Sequence, residues 1–277
     1  MPAPPLDHEL VRRLEEANAR YSIALLEALR DLPESDLDLR LERFGAAVAP
    51  VSSRQPGLDF VNRIEGLRAA DAGRVEELLS YYAAAGVDPW VEPAPEPDLD
   101  VLGAALARAG PRIVAFYGVL CGPPKPRPVG LEVRRADGAE AEAAGRLLLA
   151  AREVPEPAAS RHGRALASAV EQAGGWLYVA LVDGVQAGAA ALTIADGVGL
   201  LANAATLPDF RGRGCQTALV AARLADAAAA GCDLVASGAA FGSQSQRNLE
   251  RAGLRMAYTK PVLRLSSRAV GDRAGTA

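Results

Sequence analysis

Apolar residues recur at helical spacing near the start of the chain. In HELVRRLEEANARYSIALLEALRDL, the apolar positions are Leu10, Val11, Leu14, Ala17, Tyr21 and Leu25. Residues three or four positions apart lie on one face of a helix, so this spacing predicts an amphipathic helix.

The rest of the first half alternates between strand and helix patterns. The predicted order is the strand LDFVNRIEGL, the helix AGRVEELLSYYAAAG, the short β-like WVEPAP, the helix LDVLGAALARAG and the strand RIVAFYGVL. A sheet flanked by helices follows from this order.

The second half has a similar pattern with more strands. It begins with the strand GLEVRRA and a helical stretch to about Gly174, broken by prolines. Three strands separated by Asp-Gly turns span WLYVALVDGVQAGAAALTIADGVGLLANAATL. A helix, GCQTALVAARLADAAAAG, then precedes the strand CDLVAS, the helix SQRNLERAG and the strand RMAYTKPVLRL.

The two halves also share residues. Seven positions of ALARAGPRIVAFYGVL have identical counterparts in NLERAGLRMAYTKPVL: Leu106, Arg108, Ala109, Gly110, Arg112, Val119 and Leu120 match Leu249, Arg251, Ala252, Gly253, Arg255, Val262 and Leu263. The same register places Arg68 opposite Arg211 and Asp71 opposite Gly214. These matches indicate an internal duplication, in which the first copy lacks the glycine-rich loop of the second.

A proline-rich segment marks the boundary between the halves. CGPPKPRPVG carries four prolines, which fix the backbone and remove hydrogen-bond donors, as in an extended linker. The predicted domains are residues 1–123 and 131–266, joined by a linker at 124–130. Residues 267–277 are predicted to form a flexible tail.

Composition narrows the functional classes. The chain has 277 residues, a net charge of -4 and a sequence pI near 5.4, which argue against a general nucleic-acid surface. Three cysteines without a CxxC pair and only two histidines argue against a disulfide framework or a zinc site. No apolar run is long enough for a membrane span or a secretion signal, so a cytoplasmic protein is expected.

The most informative stretch is FRGRGCQTAL, where two glycines and two arginines precede a helix. Glycines allow a tight turn, and the free N–H groups at a helix start attract anions. A Walker P-loop would need Gly-Lys-Ser/Thr, and RNA-binding RGG segments would need repeats. A Rossmann loop remains a near match, because Gly212, Gly214 and Thr217 are followed by Asp233. The fourth interpretation of this stretch is a plain turn whose arginines are solvated.

The stretch most closely resembles motif A of the GCN5-related N-acetyltransferases (GNAT). In that family, Arg/Gln-x-x-Gly-x-Gly/Ala lies between the fourth strand and a long helix. Arg211, Gly214 and the preceding ANAATLPDF match, whereas Gln216 replaces the last Gly/Ala. The resemblance covers about residues 130–265. It implies an α/β fold (an α+β mixed sheet) with two GNAT-like domains, each a mixed, mostly antiparallel sheet flanked by helices, the first being degenerate.

The resemblance also implies acetyl-CoA as co-substrate, with no metal. Backbone groups of the strand end would hold the pantetheine and the thioester, and the loop amides would bind the pyrophosphate. The start of the last helix would lie beside the pantetheine, although serine and asparagine there are more often helix caps. The implied cofactor-binding residues are Asn203, Ala204, Ala205, Thr206, Leu207, Arg211, Gly212, Arg213, Gly214, Cys215, Gln216, Thr217, Ser243, Ser245 and Asn248.

The catalytic acid departs from the family pattern. Many members carry a tyrosine four residues before the glycine that follows the last helix, and here Leu249 occupies that position. Tyr258, Ser245 or water would then protonate the leaving thiolate. Cys215 lies at a helix start, where a thiol pKa falls, but it has no nearby histidine partner for a nucleophilic role.

The sequence therefore predicts an N-acetyltransferase that transfers acetyl from acetyl-CoA to the amine of a small molecule or peptide. A catalytically silent acyl-CoA-binding or regulatory module is the alternative, which Leu249 and Gln216 favour. The acceptor and the oligomeric state are not specified by these motifs.

Overall fold

The computed structural model describes residues 6–33 and 35–267. The chain forms two compact units. The central unit contains residues 118–257, and the flanking unit contains residues 6–117 together with the described residues from Tyr258 on. Most of the tail predicted for residues 267–277 lies outside the described residues.

The flanking unit begins with helix α1 (His8–Arg30) and a two-stranded antiparallel sheet of β1 (Leu39–Phe44) and β2 (Ala47–Ser52). It continues with β3 (Arg63–Ile64), α2 (Val75–Ala84), β4 (Trp90–Val91), α3 (Leu99–Ala107) and β5 (Arg112–Gly122), whose last five residues belong to the central unit. Strands β3 and β4 are parallel, pairing Arg63 with Trp90 and Ile64 with Val91.

The central unit contains β6 (Glu132–Ala136), α4 (Gly138–Ala150), α5 (Ala158–Gln172), β7 (Gly175–Val182), β8 (Val185–Ala195) and β9 (Val198–Thr206). Then follow α6 (Cys215–Ala229), β10 (Leu234–Ala240), α7 (Gln244–Arg251) and β11 (Arg255–Arg264), which ends in the flanking unit beside β4. Strands β6 to β9 form an antiparallel meander, and β10 joins β9 in parallel.

The sheet of the central unit has a core on its α6 face. Tyr178 of β7, Leu192 of β8, Leu201 of β9 and Leu219 and Leu224 of α6 are buried together. Helices α4 and α5 contribute nothing to this cluster and contact β7 and β8 separately. The mixed sheet with flanking helices confirms the predicted fold class.

Helices α4 and α5 cross at two glycines. A Cβ on Gly145 would lie 2.2 Å from the carbonyl oxygen of Gly163, and a Cβ on Gly163 would lie 2.5 Å from the amide nitrogen of Arg146. Any larger residue would therefore force the two helices apart.

The flanking unit has its own core, formed chiefly by β2, α2 and α3 with Leu265. The amphipathic helix is confirmed as α1, although its stripe continues through Leu26 and Leu29, whereas Leu25 is only half-buried. The stretch LDFVNRIEGL, predicted as one strand, instead contains a 3-10 turn, Asp59–Val61, followed by the two-residue β3. The β1–β2 hairpin was not predicted from the sequence.

Candidate functional site

The central unit contains a cleft where two parallel strands separate. Strands β9 and β10 pair only from Leu234 with Val198 to Ala236 with Leu200. Beyond this point, residues 201–206 of β9 run without a paired partner on their β10 side. The carbonyl oxygens of Leu201, Ala202 and Thr206 accept hydrogen bonds from side chains. The other backbone groups on that side are available to another molecule.

Two features fix the geometry where the strands separate. The hydroxyl of buried Ser237 on β10 donates a 2.8 Å hydrogen bond to the carbonyl oxygen of Leu201 on β9. Next to it, β9 carries a bulge, because Asn203 and Ala204 together face Ala190 of β8. Asn203 has a φ of 39°, an uncommon conformation for a residue other than glycine, and bulges of this kind re-aim backbone groups.

The glycine loop connects β9 to α6 and leaves the helix start open. A 3-10 turn, Pro208–Phe210, precedes Gly212 at φ 78° and Gly214 at φ 88°. Gly214 is the N-cap residue, and no side chain caps the helix. A Cβ on Gly212 would meet no atom within 4 Å, and one on Gly214 would meet only Leu131 at 4.0 Å. The loop thus has open space beside both glycines and no side chain that caps the first turn, as an anion site requires.

The two loop arginines are already in contact with neighbouring groups. Arg213 forms a 2.7 Å exposed ion pair with Asp183, which contributes little stability. Arg211 makes two long 3.5 Å contacts, to the carbonyl oxygens of Thr206 and Ala151. Such long contacts are weak, so the Arg211 guanidinium can turn towards an anion at low cost.

A buried arginine on α6 contacts the backbone beside the bulge, and it was not predicted from the sequence. Arg223 on α6 is 1% exposed and donates to three carbonyl oxygens, those of Leu219, Ala191 and Ala202. Burial lowers the pKa of this guanidinium to about 10, so it remains charged at neutral pH. The sequence does contain a signal for it, an arginine within the apolar stripe ALVAARLADA. That stretch was interpreted only as a helix.

The remaining predicted cofactor-binding residues lie at the start of helix α7 and within it. Ser243 is its N-cap residue and accepts a hydrogen bond from the Gln246 amide at 3.2 Å, which is the cap role weighed from the sequence. The side-chain oxygen of Asn248 accepts from Gln244 at 2.9 Å, and Ser245 is exposed. Leu249 is 2% exposed and packs in the core. The position where a tyrosine was expected therefore has a structural role in this protein.

Tyr258 belongs to the flanking unit, in β11. Its hydroxyl donates a 2.7 Å hydrogen bond to Glu15 Oε1, and the residue is 7% exposed. As an acid, it would have to exchange this bond for one to the substrate. Its catalytic role therefore stays a prediction.

All three cysteines are free and buried. The lowered pKa expected for Cys215 at the helix start is wrong, because burial raises the pKa of its thiol above the ordinary value. Its own backbone amide and Arg213 oppose this increase only in part. Burial also raises the pKa of Cys121 and of Cys232. A nucleophilic role for Cys215 has no support in this setting.

In the flanking unit, the loop that the sequence match places opposite the glycine loop is filled by carboxylates of that unit. Asp71 accepts hydrogen bonds from the amides of Arg68 and Ala46, each at 3.1 Å. Glu96 accepts from the amide of Ala69 at 2.9 Å. These side chains occupy the donors that an external anion would need.

Comparisons with known proteins agree with this geometry. Residues 146–253 match the sequence profile of the acetyltransferase (GNAT) family. No curated protein sequence matches the chain significantly.

Solved structures of the same fold cover nearly the whole chain. A GCN5-related N-acetyltransferase from Kribbella flavida is 21% identical, with a TM-score of 0.55 over 89% of this chain and 95% of its own. A second one, from Sphaerobacter thermophilus, is 17% identical, with a TM-score of 0.56 over 96% and 94%. A tandem GNAT protein from the clavulanic acid biosynthesis pathway is 14% identical, with a TM-score of 0.58 over 95% and 96%. The chain thus has the GNAT fold, and the fold and the family match support an acyltransferase function.

Within residues 6–33 and 35–267, no helix is long and apolar enough to cross a membrane. The same residues contain no group of three or more His, Cys, Asp or Glu side chains placed to hold a metal ion.

Proposed function

We propose that the central unit is an N-acyltransferase that uses acetyl-CoA and transfers the acetyl group to the amine of a small molecule or peptide. The observation that carries this proposal is the open start of α6. Gly212 and Gly214 hold left-handed backbone angles with free space beside them, and no side chain caps the first turn.

The residues present fit the diphosphate end of acetyl-CoA. Amides from Arg213 to Thr217 surround the start of α6, where the helix dipole favours negative charge. Arg211 adds a cation whose present contacts are long. Gln216, which replaces the small residue of the family pattern, is half-buried and leaves the glycine positions clear.

The unpaired part of β9 fits the pantetheine and the thioester. Residues Asn203 to Leu207 offer backbone groups along the cleft opened by the separation from β10. On α7, Ser243, Ser245 and Asn248 are the predicted contacts on the other side, of which exposed Ser245 has the freest hydroxyl.

Acetyl-CoA would supply an activated acetyl group as a thioester. The chain would bind and orient it, and backbone donors near the bulge would stabilise negative charge on the thioester oxygen. The amine must lose a proton and the leaving thiolate must gain one. Since Leu249 has no proton to give, the predicted donors are Ser245, Tyr258 or a water molecule.

The first experiment is calorimetric titration of acetyl-CoA into the native protein and into Gly214→Glu. The glutamate would add a negative charge and a strained left-handed residue at the diphosphate position. We expect measurable binding by the native chain and none by the variant.

Gly231→Glu is the matched control. Gly231 follows the other end of α6, with a φ of 77° and free space for a Cβ. Gly231→Glu therefore introduces the same strain and charge away from the cleft, so acetyl-CoA binding should persist in this variant. Absence of binding by the folded native protein would refute the proposal.

We further propose that the flanking unit is a degenerate acyltransferase-like unit that binds no CoA. Both units contain a parallel strand pair that separates after a short register, followed by a loop and a helix. In the flanking unit, Asp71 and Glu96 satisfy the loop amides internally.

A catalytically silent acyl-CoA-binding module is the second candidate. The buried Leu249 in the place of the usual tyrosine favours it. Turnover of acetyl-CoA with a panel of amines separates the two: release of CoA that depends on the amine supports the enzyme, and tight binding without release supports the silent module.

A further inference from the structure

The turn that ends helix α4 lies against the bulge of β9, and the helix itself contacts this strand. Immediately after the helix, Nη2 of Arg152 donates a 3.1 Å hydrogen bond to Oδ1 of Asn203, the left-handed residue of the bulge. The carbonyl oxygen of the preceding residue, Ala151, is the one that Arg211 contacts at 3.5 Å. Two consecutive residues of this turn therefore reach two parts of the acetyl-CoA site proposed above.

The backbone of this turn is held by its own hydrogen bonds. The amides of residues 151–154 donate to carbonyl oxygens of residues 147–150, at 2.9 to 3.1 Å. Glu153 has a φ of 62°, in the left-handed region where a helix end more often has glycine. Left-handed residues other than glycine persist where the surrounding structure fixes them, and they concentrate at functional sites. One such residue follows Arg152 directly, and another is its hydrogen-bond partner.

Two arginines hold consecutive residues of β9. Arg223 reaches the carbonyl oxygen of Ala202 from α6, at 3.2 Å, and Arg152 reaches the side chain of Asn203 from the end of α4. Among residues 6–33 and 35–267, Asn203 is the one polar partner of the Arg152 side chain. Because Arg152 is exposed, this bond contributes little to global stability, and its effect falls on the conformation of the residue that it holds.

We propose that Arg152 is a positioning residue for acyl transfer, which holds Asn203 so that the bulge directs its backbone donors at the thioester oxygen. The inference rests on the function proposed for the central unit. Arg152 acts through Asn203 and needs no contact with the ligand. Without this restraint, Asn203 can leave the uncommon left-handed region, and the donors beside it then lose their alignment.

The test is calorimetric titration of the full-length native protein and of Arg152→Ala with acetyl-CoA and with CoA. Both ligands have the diphosphate and the pantetheine, but only acetyl-CoA has the thioester oxygen. We expect the variant to bind acetyl-CoA about fivefold more weakly and CoA as tightly as the native protein does. Equal losses for both ligands, or no loss for acetyl-CoA, would overturn the proposal. Absence of acetyl-CoA binding by the native protein is a different result, which refutes the proposed function and this inference with it.

A double-variant cycle tests whether Arg152 acts through Asn203. Asn203→Gly removes the Oδ1 acceptor and still permits the left-handed angle. In this background, Arg152→Ala should cause no further change in acetyl-CoA affinity, because its partner is already gone. A second fivefold loss would mean that Arg152 contacts the ligand itself, which refutes the positioning role. Arg164→Ala, at an exposed arginine of α5, is the matched control and should change neither affinity.

Hydrogen exchange tests the same role without a ligand. In Arg152→Ala, deuterium uptake by a peptide spanning residues 201–207 should be faster than in the native protein, whereas uptake by β7 and the melting temperature should not change. A general loss of stability would instead speed up exchange in both strands. Unchanged uptake by residues 201–207 would show that the bulge is held without Arg152 and would overturn the proposal.

Discussion

At the residue scale, Arg223 is the side chain that most directly supports the candidate acyl-transfer site. It is a fully buried cation with no carboxylate partner among residues 6–33 and 35–267, and its charge is stabilised by the three carbonyl oxygens that it contacts. One of them, on Ala202, immediately precedes the left-handed Asn203. The guanidinium thus holds the bulge that directs the backbone groups of β9.

Arg223→Met should reduce both stability and cofactor affinity. The methionine fills similar space but donates nothing, so the buried carbonyl oxygens lose a donor, which should lower the free energy of unfolding by about 2–3 kcal/mol. Acetyl-CoA affinity, measured where the variant is fully folded, should fall about tenfold because the bulge relaxes.

Arg164→Met is the control for this substitution, since Arg164 is exposed on α5. It should leave both quantities unchanged. Unaltered acetyl-CoA affinity in Arg223→Met would show that the buried arginine serves stability alone.

Glu65 gives a pH-dependent prediction at the same scale. Burial raises the pKa of this carboxyl above its usual value of 4.5, with Glu92 adding to the effect and with Arg63 and Lys260 opposing it. The unfolded chain then loses this proton at lower pH than the folded chain, so the contribution of Glu65 to stability decreases as pH rises through the folded-state pKa.

Glu65→Gln removes this titration. Its stability relative to the native protein should increase as the pH is raised above about 4.5, by at most roughly 1.4 kcal/mol per pH unit. Urea unfolding at several pH values measures the difference, and a difference that does not change with pH would contradict the raised pKa.

At the element scale, the crossing of α4 and α5 depends on residues without side chains. Gly163→Ala would place a Cβ 2.5 Å from the backbone of Arg146, so the helices must move apart. We expect a loss of at least about 2 kcal/mol, seen as a lower melting temperature.

Gly103→Ala in α3 is the same substitution in a helix with free space around the new Cβ. There, alanine should stabilise the protein by about 0.5–1 kcal/mol because it favours the helix. Similar destabilisation by both variants would mean that the crossing is not the cause.

The helices and strands also show which features of the structure could be predicted from the sequence. Periodicity and turn residues predicted most helices and strands, and glycines at a helix start predicted the open loop, because these signals are local. Ser237 and Arg223 act through carbonyl groups 36 and 32 positions away, on other elements, and no local pattern encodes such partners. The buried ion pairs of Lys260 were missed for the same reason, since they join β11 to α1 and to the segment after β4.

The two-residue strands β3 and β4 were also hard to predict. They are too short for an alternating pattern, and their pairing depends on β11, far along the chain. Leu249 illustrates the opposite case, where a single departure from a family pattern was visible in the sequence and is explained by burial in the core.

At the scale of the whole molecule, the two units differ in the state of one loop. The loop of the central unit is open at Gly212 and Gly214, whereas Asp71 and Glu96 fill that of the flanking unit. Calorimetry should therefore give one acetyl-CoA per chain, and Gly214→Glu should abolish all of the binding heat. A stoichiometry of two would contradict the proposed division of roles.

The burial of all three cysteines has a practical consequence for measuring turnover. Every transfer of the acetyl group would release CoA with a free thiol, whereas the thiols of the folded protein are shielded and have raised pKa values. Chromogenic disulfide reagents react with thiolates that they can reach, so in a cuvette they would report the released CoA against a nearly silent protein background. Acceptor amines can thus be screened continuously with the native chain, without replacing any cysteine.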